Sequence, residues 1–268
     1  MLFRRIITVV ILIPLVMAAI CYSDPLIFKG LILLVTFLAL YEFYSVTLVD
    51  YSRLERGFGI VLGVIFNFFI LFSRGGIAHT FVLLTGIIVL SFFFFLLRPP
   101  DSLKGVVHHL SLFSFGALYV GGLLSYVAFL RELPDGIFWV FLLLAMTWLN
   151  DTFAYFAGHW WGRRRLAPKI SPGKTIEGFI GGFLGSAVGF VVFDSIFQNP
   201  CSWQQGVVLT FMVGIFGPMG DLAESLIKRS SGVKDSGSMI PGHGGMLDRI
   251  DAILFTAPVM YYFTKIFY

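Results

Sequence analysis

From Ile77 to Leu97 the chain runs for twenty-one residues without an aspartate, glutamate, lysine or arginine. A helix needs about 20 mostly apolar residues to cross a bilayer. In lipid such a segment must satisfy its backbone polar groups internally, which leaves only helices and closed barrels. Eight more runs of this character are read at 5–22, 26–49, 58–73, 108–130, 136–158, 178–197, 203–222 and 250–267. With 57% hydrophobic and 13% charged residues, against about 25% charged in soluble domains, the chain is expected to be an all-α integral membrane protein of about nine transmembrane helices. Arg4 and Arg5 before the first run imitate a signal peptide. The spans that follow at once favour a retained first helix. The longest interruptions, 159–177 and 223–249, leave no room for a folded extramembrane domain.

Short cytoplasmic loops are enriched in lysine and arginine. With the N-terminus cytoplasmic, Arg4, Arg5, Arg53, Arg56, Arg98, Lys104, Arg163, Arg164, Arg165, Lys169, Lys174, Lys228, Arg229, Lys234 and Arg249 fall inside, fifteen of the 19 basic residues. Only Lys29, Arg74, Arg131 and Lys265 fall outside. This predicts an odd number of spans with the C-terminus outside. The net charge of +4 follows from that topology and from attraction to anionic headgroups, so no nucleic-acid partner is implied. Cys21 and Cys201 lie too far apart in sequence for a CxxC motif and imply no disulfide scaffold.

The polar residues are unevenly spread. Residues 1–130 read as membrane spans of scaffold or lipid-facing character, whereas 131–268 carry the residues of functional type. In TWLNDTFAYFAGHWWG (147–162), Asp151 lies about 10 Å inside the cytoplasmic end of its span at 1.5 Å per residue. A carboxylate placed there costs about 2.5–3.5 kcal/mol on insertion scales and needs a polar surrounding. Thr147, Asp151, Tyr155 and Gly158 share its face, as the lining of a site or as an interhelical hydrogen-bond knot.

The stretch WWGRRRLAPKISPGKTIEG (160–178) ends in GKT, which invites comparison with a phosphate loop. That motif needs GxxxxGK[ST] after a strand. Here Pro168 stands at the first glycine position and no strand is expected before it, so the phosphate-loop reading fails. Lys169 and Lys174 remain suited to phosphate, and Ser171 to Thr175 can cap the following helix, whose N-terminus offers amides and a positive dipole end to anions. Arg163 to Arg165 are explained as a cytoplasmic anchor; Lys174 beside Glu177 is read as functional. Gly178, Gly181, Gly182, Gly185 and Gly189 form overlapping GxxxG pairs, a pattern that permits close helix packing within the chain or between subunits.

Most informative is FGPMGDLAESLIKRSSGVKDSGSMIPGHGGMLDRID (216–251). Pro218 is expected to kink or break its span. Beyond it Asp221, Glu224, Ser225 and Lys228 share one helical face, and Asp248 and Asp251 are neighbours at the start of the last span. Carboxylates from two elements, interleaved with lysine, arginine and glycine, suit a hard cation together with phosphates. Magnesium takes one or two carboxylates with substrate phosphates and water, and glycine turns let amides approach an anion. Zinc is disfavoured, since the chain has no cysteine cluster and no HExxH.

The run SLIKRSSGVKDSGSMIPGHGGMLDRID (225–251) resembles the signature of the phosphatidate cytidylyltransferases, or CDP-diacylglycerol synthases. NDTFAYFAG (150–158) and SPGKTIEG (171–178) are similar to two further stretches of that family, in the same order. The likeness covers about the last 120 residues closely and the first 130 only as a set of spans. It implies cytidylyl transfer from CTP to phosphatidic acid, with release of pyrophosphate. It also implies magnesium, with a monovalent cation such as potassium beside it, in a bacterial inner membrane with the site facing the cytoplasm.

With this resemblance the metal-binding carboxylates are expected among Asp221, Asp248 and Asp251. Asp221 and Asp248 are assigned as ligands, with Asp251, Asp151 and Glu224 as further ligands or groups behind them; which of Asp248 and Asp251 touches metal directly stays open. Lys228, Arg229 and Lys234 would act with them in catalysis. Lys174, Glu177, His243, Gly244, Gly245 and Arg249 would join Asp151 in binding substrate. A homodimer is expected from the family and from the glycine ladder. Two other readings remain: a CTP-dependent lipid or polyprenol kinase, and an ion-coupled transporter. The transporter is disfavoured because the acids gather at the cytoplasmic side of the spans and do not line a path across.

Overall fold

A computed structural model describes residues 14–21, 24–48, 52–73, 76–100, 103–197, 201–237, 239 and 244–268, with side chains left aside at 76–78. Most of the expected first span lies outside the described residues; its end, α1, is helical over 14–21. The helices that follow are α2 (Pro25–Thr47), α3 (Arg53–Phe72), α4 (Gly76–Leu97), α5 (Val106–Gly116), a π-helical stretch (Ala117–Gly122), α6 (Leu123–Glu132) and α7 (Gly136–Trp161). A hairpin of β1 (Arg165–Ala167) and β2 (Ser171–Thr175) precedes α8 (Ile176–Ile196), α9 (Trp203–Ser230) and α10 (Leu247–Phe267). Among the described residues eight helices are long and apolar enough to cross a membrane, counting α5 to α6 as one. The chain is therefore an all-α multi-pass membrane protein, and the spans expected from 26 onward each find their helix.

Four of these helices begin on signals written beside them. Asp24 accepts from the Leu26 amide at 2.7 Å ahead of Pro25. Ser52 with Glu55, and Ser202 with Gln205, form reciprocal capping boxes on α3 and α9. Thr175 caps α8 by accepting from Gly178 N at 3.0 Å. α10, preceded by Met246, has no side-chain cap of its own, and neither have α5, α6 and α7.

Two departures from the sequence reading concern the site. The basic stretch expected as a loop is a hairpin, and Gly173, Lys174 and Thr175 stand in its second strand. The expectation of no strand near GKT is thus corrected: Arg165 to Ala167 pair with Ser171 to Thr175 across a turn at Pro168, Lys169 and Ile170. Of the kink or break expected at Pro218, the break does not occur: the helix continues to Ser230. Proline removes one backbone donor, a loss that membrane helices tolerate when neighbours compensate. The longer helix carries Glu224 and Lys228 on the same rigid element as Asp221.

The glycine ladder packs inside the chain. A Cβ on Gly178 would stand 2.7 Å from the Ala154 carbonyl, and one on Gly189 3.0 Å from Met146 Cα, so α8 lies directly against α7. Asn150 fixes that contact by donating to Gly182 O and Ser186 Oγ, both at 2.9 Å. In the N-terminal half a core of Phe43, Tyr44, Phe66 and Phe113 is sealed. Tyr44 donates there to Phe113 O at 3.1 Å, and Asn67 to Gly121 O at 2.7 Å.

Candidate active site

α9 ends and α10 begins on the same side of the molecule, and their backbones touch at Gly220, where a Cβ would strike the Asp251 carbonyl and come within 3.1 Å of Ala252 Cα. This close approach is what glycine permits, and it sets Asp221 and Glu224 of α9 beside Asp251 of α10. One carboxylate oxygen from each of the three lies within 4.8 Å of the others. Glu224 is fully buried, and its Oε1 finds no hydrogen-bond partner among the described residues. At this spacing each pair of ionised carboxylates repels by about 3 kcal/mol for an effective dielectric of ~20. A trio of hard oxygen donors gathered this closely, one of them fully buried, fits a divalent cation.

Asp248, one turn before Asp251, is engaged differently. Its Oδ1 accepts from Lys228 Nζ at 2.6 Å and its Oδ2 from Gly245 N at 3.0 Å. Lys228 also pairs with Glu224 Oε2 at 2.5 Å, so one ammonium bridges α9 internally and reaches α10. On the other side of the trio Lys174 Nζ lies 2.6 Å from Asp221 Oδ2, which ties the β-hairpin to α9.

These groups surround a cavity of about 720 Å³ whose lining includes Asp151, Arg165, Lys174, Asp221, Asp248 and Asp251. Cationic groups stand on the hairpin side and carboxylates on the α9 and α10 side. Such a chamber can take a polyanion and a cation at once. Behind α9 lies a second, apolar cavity of about 810 Å³ lined by Phe66, Leu118, Tyr119, Leu226, Ile227 and Phe255 among others. The Tyr119 hydroxyl, on the π-helical stretch, is buried without a hydrogen-bond partner among the described residues and is near enough to Glu224, Asp251 and Asp221 to feel their charge.

The sequence profile of the Cytidylyltransferase family matches residues 3–267. The chain belongs to this family. It is 37% identical to the phosphatidate cytidylyltransferase of Thermotoga maritima, over 98% of this chain and 96% of that protein. It is 38% identical to the uncharacterized protein YnbB of Escherichia coli over 87% of this chain and 77% of YnbB. The phosphatidate cytidylyltransferase of Bacillus subtilis is 39% identical over 58% of each chain.

In this family member the remaining residues singled out in the sequence are dispersed. Glu177 is half-buried, and its Oε2 accepts from the amides of Arg163 at 3.0 Å and Arg164 at 3.2 Å, fastening the turn that enters the hairpin. Arg229 donates to the carbonyls of Ile170 at 3.3 Å and Val233 at 3.1 Å, holding hairpin and loop to the end of α9. Lys234 and Arg249 are exposed; Arg249 is close enough to act on the charge of Asp151. Gly244 has φ +81° and Gly245 is buried, while His243 lies outside the described residues.

Two contributors escape the sequence reading. Arg165, explained there as an anchor, lines the polar cavity. Glu42 of α2 is 2% exposed, far from any motif, and its Oε2 accepts from Leu247 N at 2.8 Å. A lone carboxylate inside an apolar span was the available signal for Glu42.

Proposed function

We propose that the chain transfers the cytidylyl group of CTP to phosphatidic acid, forming CDP-diacylglycerol and pyrophosphate in phospholipid synthesis. The observation that carries the reading is the cavity that joins Lys174 and Arg165 to Asp221, Asp248 and Asp251 at the edge of a membrane-embedded helix bundle. Relatives named phosphatidate cytidylyltransferase, one of them alike along nearly its whole length, support it. The fifteen-to-four distribution of basic residues supports a chamber open to the cytoplasm, where CTP is found, and an inner bacterial membrane is the expected site.

A phosphatidate oxygen would attack the α-phosphorus of CTP while the bond to the β-phosphate oxygen breaks. The nucleophile is already an anion, so the task is to overcome repulsion and to stabilise the departing pyrophosphate. Lys174 and Arg165 are placed to meet the triphosphate from the hairpin. The N-terminus of α8, capped by Thr175, adds its dipole on that side. Asp221, Glu224 and Asp251 would hold a magnesium ion, which when bound neutralises phosphate charge and orients the reacting groups. Lys228, drawn toward a phosphate, would release Asp248 Oδ1 to the same cluster. A monovalent cation such as potassium is proposed as a companion on the strength of the family resemblance alone. The apolar cavity behind α9 is suited to the acyl chains, with Tyr119 between it and the acids. The glycine ladder is taken up by α7, so a homodimer would have to use other faces.

CTP labelled in turn at the α- and γ-phosphate, given with phosphatidic acid and magnesium to the purified protein, tests the reaction. The α-label is expected in lipid and the γ-label in pyrophosphate. Transfer of the γ-label to lipid with release of CDP would replace this reading with a lipid kinase.

A further inference from the structure

The first turn of α10 carries Asp248 and Asp251, yet its starting residue Met246 cannot cap it. The missing acceptor comes from the other half of the chain. Glu42, near the end of α2, accepts from Leu247 N at 2.8 Å and from Ser236 Oγ at 3.4 Å through its Oε2. The carboxylate also lies against the middle and the end of the loop that joins α9 to α10. A Cβ on Gly237 would stand 2.7 Å from Glu42 Oε1, and one on Gly245 would collide with Ser236 Oγ and Glu42 Oε2. Ser236 and Gly245 are themselves buried. A negative charge at a helix N-terminus is favourable, and here it is supplied from 205 positions away.

We infer that Glu42 is a positioning residue for the reaction proposed above: by clasping Ser236, Gly237, Gly245 and the Leu247 amide, it fixes where α10 begins. Gly245 in turn donates to Asp248 Oδ2 at 3.0 Å, so the clasp sets the carboxylate of Asp248, and one turn further Asp251, against Asp221. The hydrogen bonds of Glu42 go to Leu247 N and Ser236 Oγ and not to the acidic trio, which separates it from the groups proposed to meet substrate. The N-terminal half thus supplies part of the site's geometry and none of its reacting groups.

The test uses full-length protein in proteoliposomes and compares wild type with Glu42→Ala, Glu42→Gln and Gly237→Ala. Trypsin cleavage after the exposed Lys234 reads the position of the loop without substrate. It therefore reports on the clasp even if the CTP reaction were to fail in the wild type. Cleavage at Arg163 to Arg165 serves as a control for general unfolding. Removing groups that orient ligands costs about 10–100-fold in activity. Accordingly Glu42→Ala should lose kcat in that range with KM for phosphatidic acid little changed, and should be cut faster after Lys234 only. Glu42→Gln keeps an acceptor for Leu247 N and should recover most of both.

Gly237→Ala pushes a methyl into the carboxylate and should show the Glu42→Ala pattern in weaker form. In the Glu42→Ala background the same methyl has room and should add nothing, a coupling that independent sites do not show. Should Glu42→Ala fail to accumulate, Glu42→Gln and Gly237→Ala decide between the same outcomes. Wild-type cleavage and kcat in the variants would overturn the inference. So would equal losses in the alanine and glutamine variants with faster cutting at Arg163 to Arg165.

Discussion

Asp248 and Asp251 stand one turn apart at the head of α10, yet their surroundings are opposite in kind. Asp248 is neutralised by Lys228 and held by an amide. Asp251 shares its space with Asp221 and Glu224, which pair with Lys174 and Lys228 respectively. Asp248 is satisfied by protein groups; the trio is the grouping proposed above to take a cation. Acids close together in sequence can thus have unlike neighbours in the fold.

The comparison can be broken from either end. Lys228 bridges Glu224 and Asp248 with side-chain exposures of 13%, 1% and 15%. Lys228→Ala would leave two partly or fully buried carboxylates without their cation, and loss of one partner of a buried pair costs about 3–5 kcal/mol. The thermal midpoint of the purified protein should fall accordingly; an unchanged midpoint would mean that the bridge contributes nothing.

Asp251→Asn should act in the reverse direction and more weakly. It removes a charge from the repelling trio while retaining the oxygen that accepts from Ala252 N at 2.7 Å. Relief of strain at functional sites typically returns about 0.5–2 kcal/mol, so the metal-free variant should melt higher than the wild type while turnover collapses. A lowered midpoint without metal would show that the trio is not held against repulsion.

Much of this was readable in the sequence because it is written locally. Apolar runs of about 20 residues specify helices wherever backbone groups have no water, and the motifs around Asp221 and Asp248 name the residue types that phosphates and cations require. What escaped has a non-local cause. Glu42 sits alone in a run of Leu, Ala and Tyr, and its partners are 194 and 205 positions away. The cost argument that singled out Asp151 applies to it equally. The hairpin escaped because three consecutive arginines are explained by topology alone, and its pairing is short. Glu224 was visible, but only the touching of α9 and α10 at Gly220 ranks it with Asp221 and Asp251 ahead of Asp248.

The most direct measurement is binding of manganese to the purified protein without nucleotide, followed by electron paramagnetic resonance, since manganese favours the carboxylate donors that magnesium uses. Wild type and Asp248→Asn should bind the ion with similar affinity, and Asp251→Asn should lose it. Retention by Asp251→Asn together with loss by Asp248→Asn would contradict the assignment of the cation to the trio.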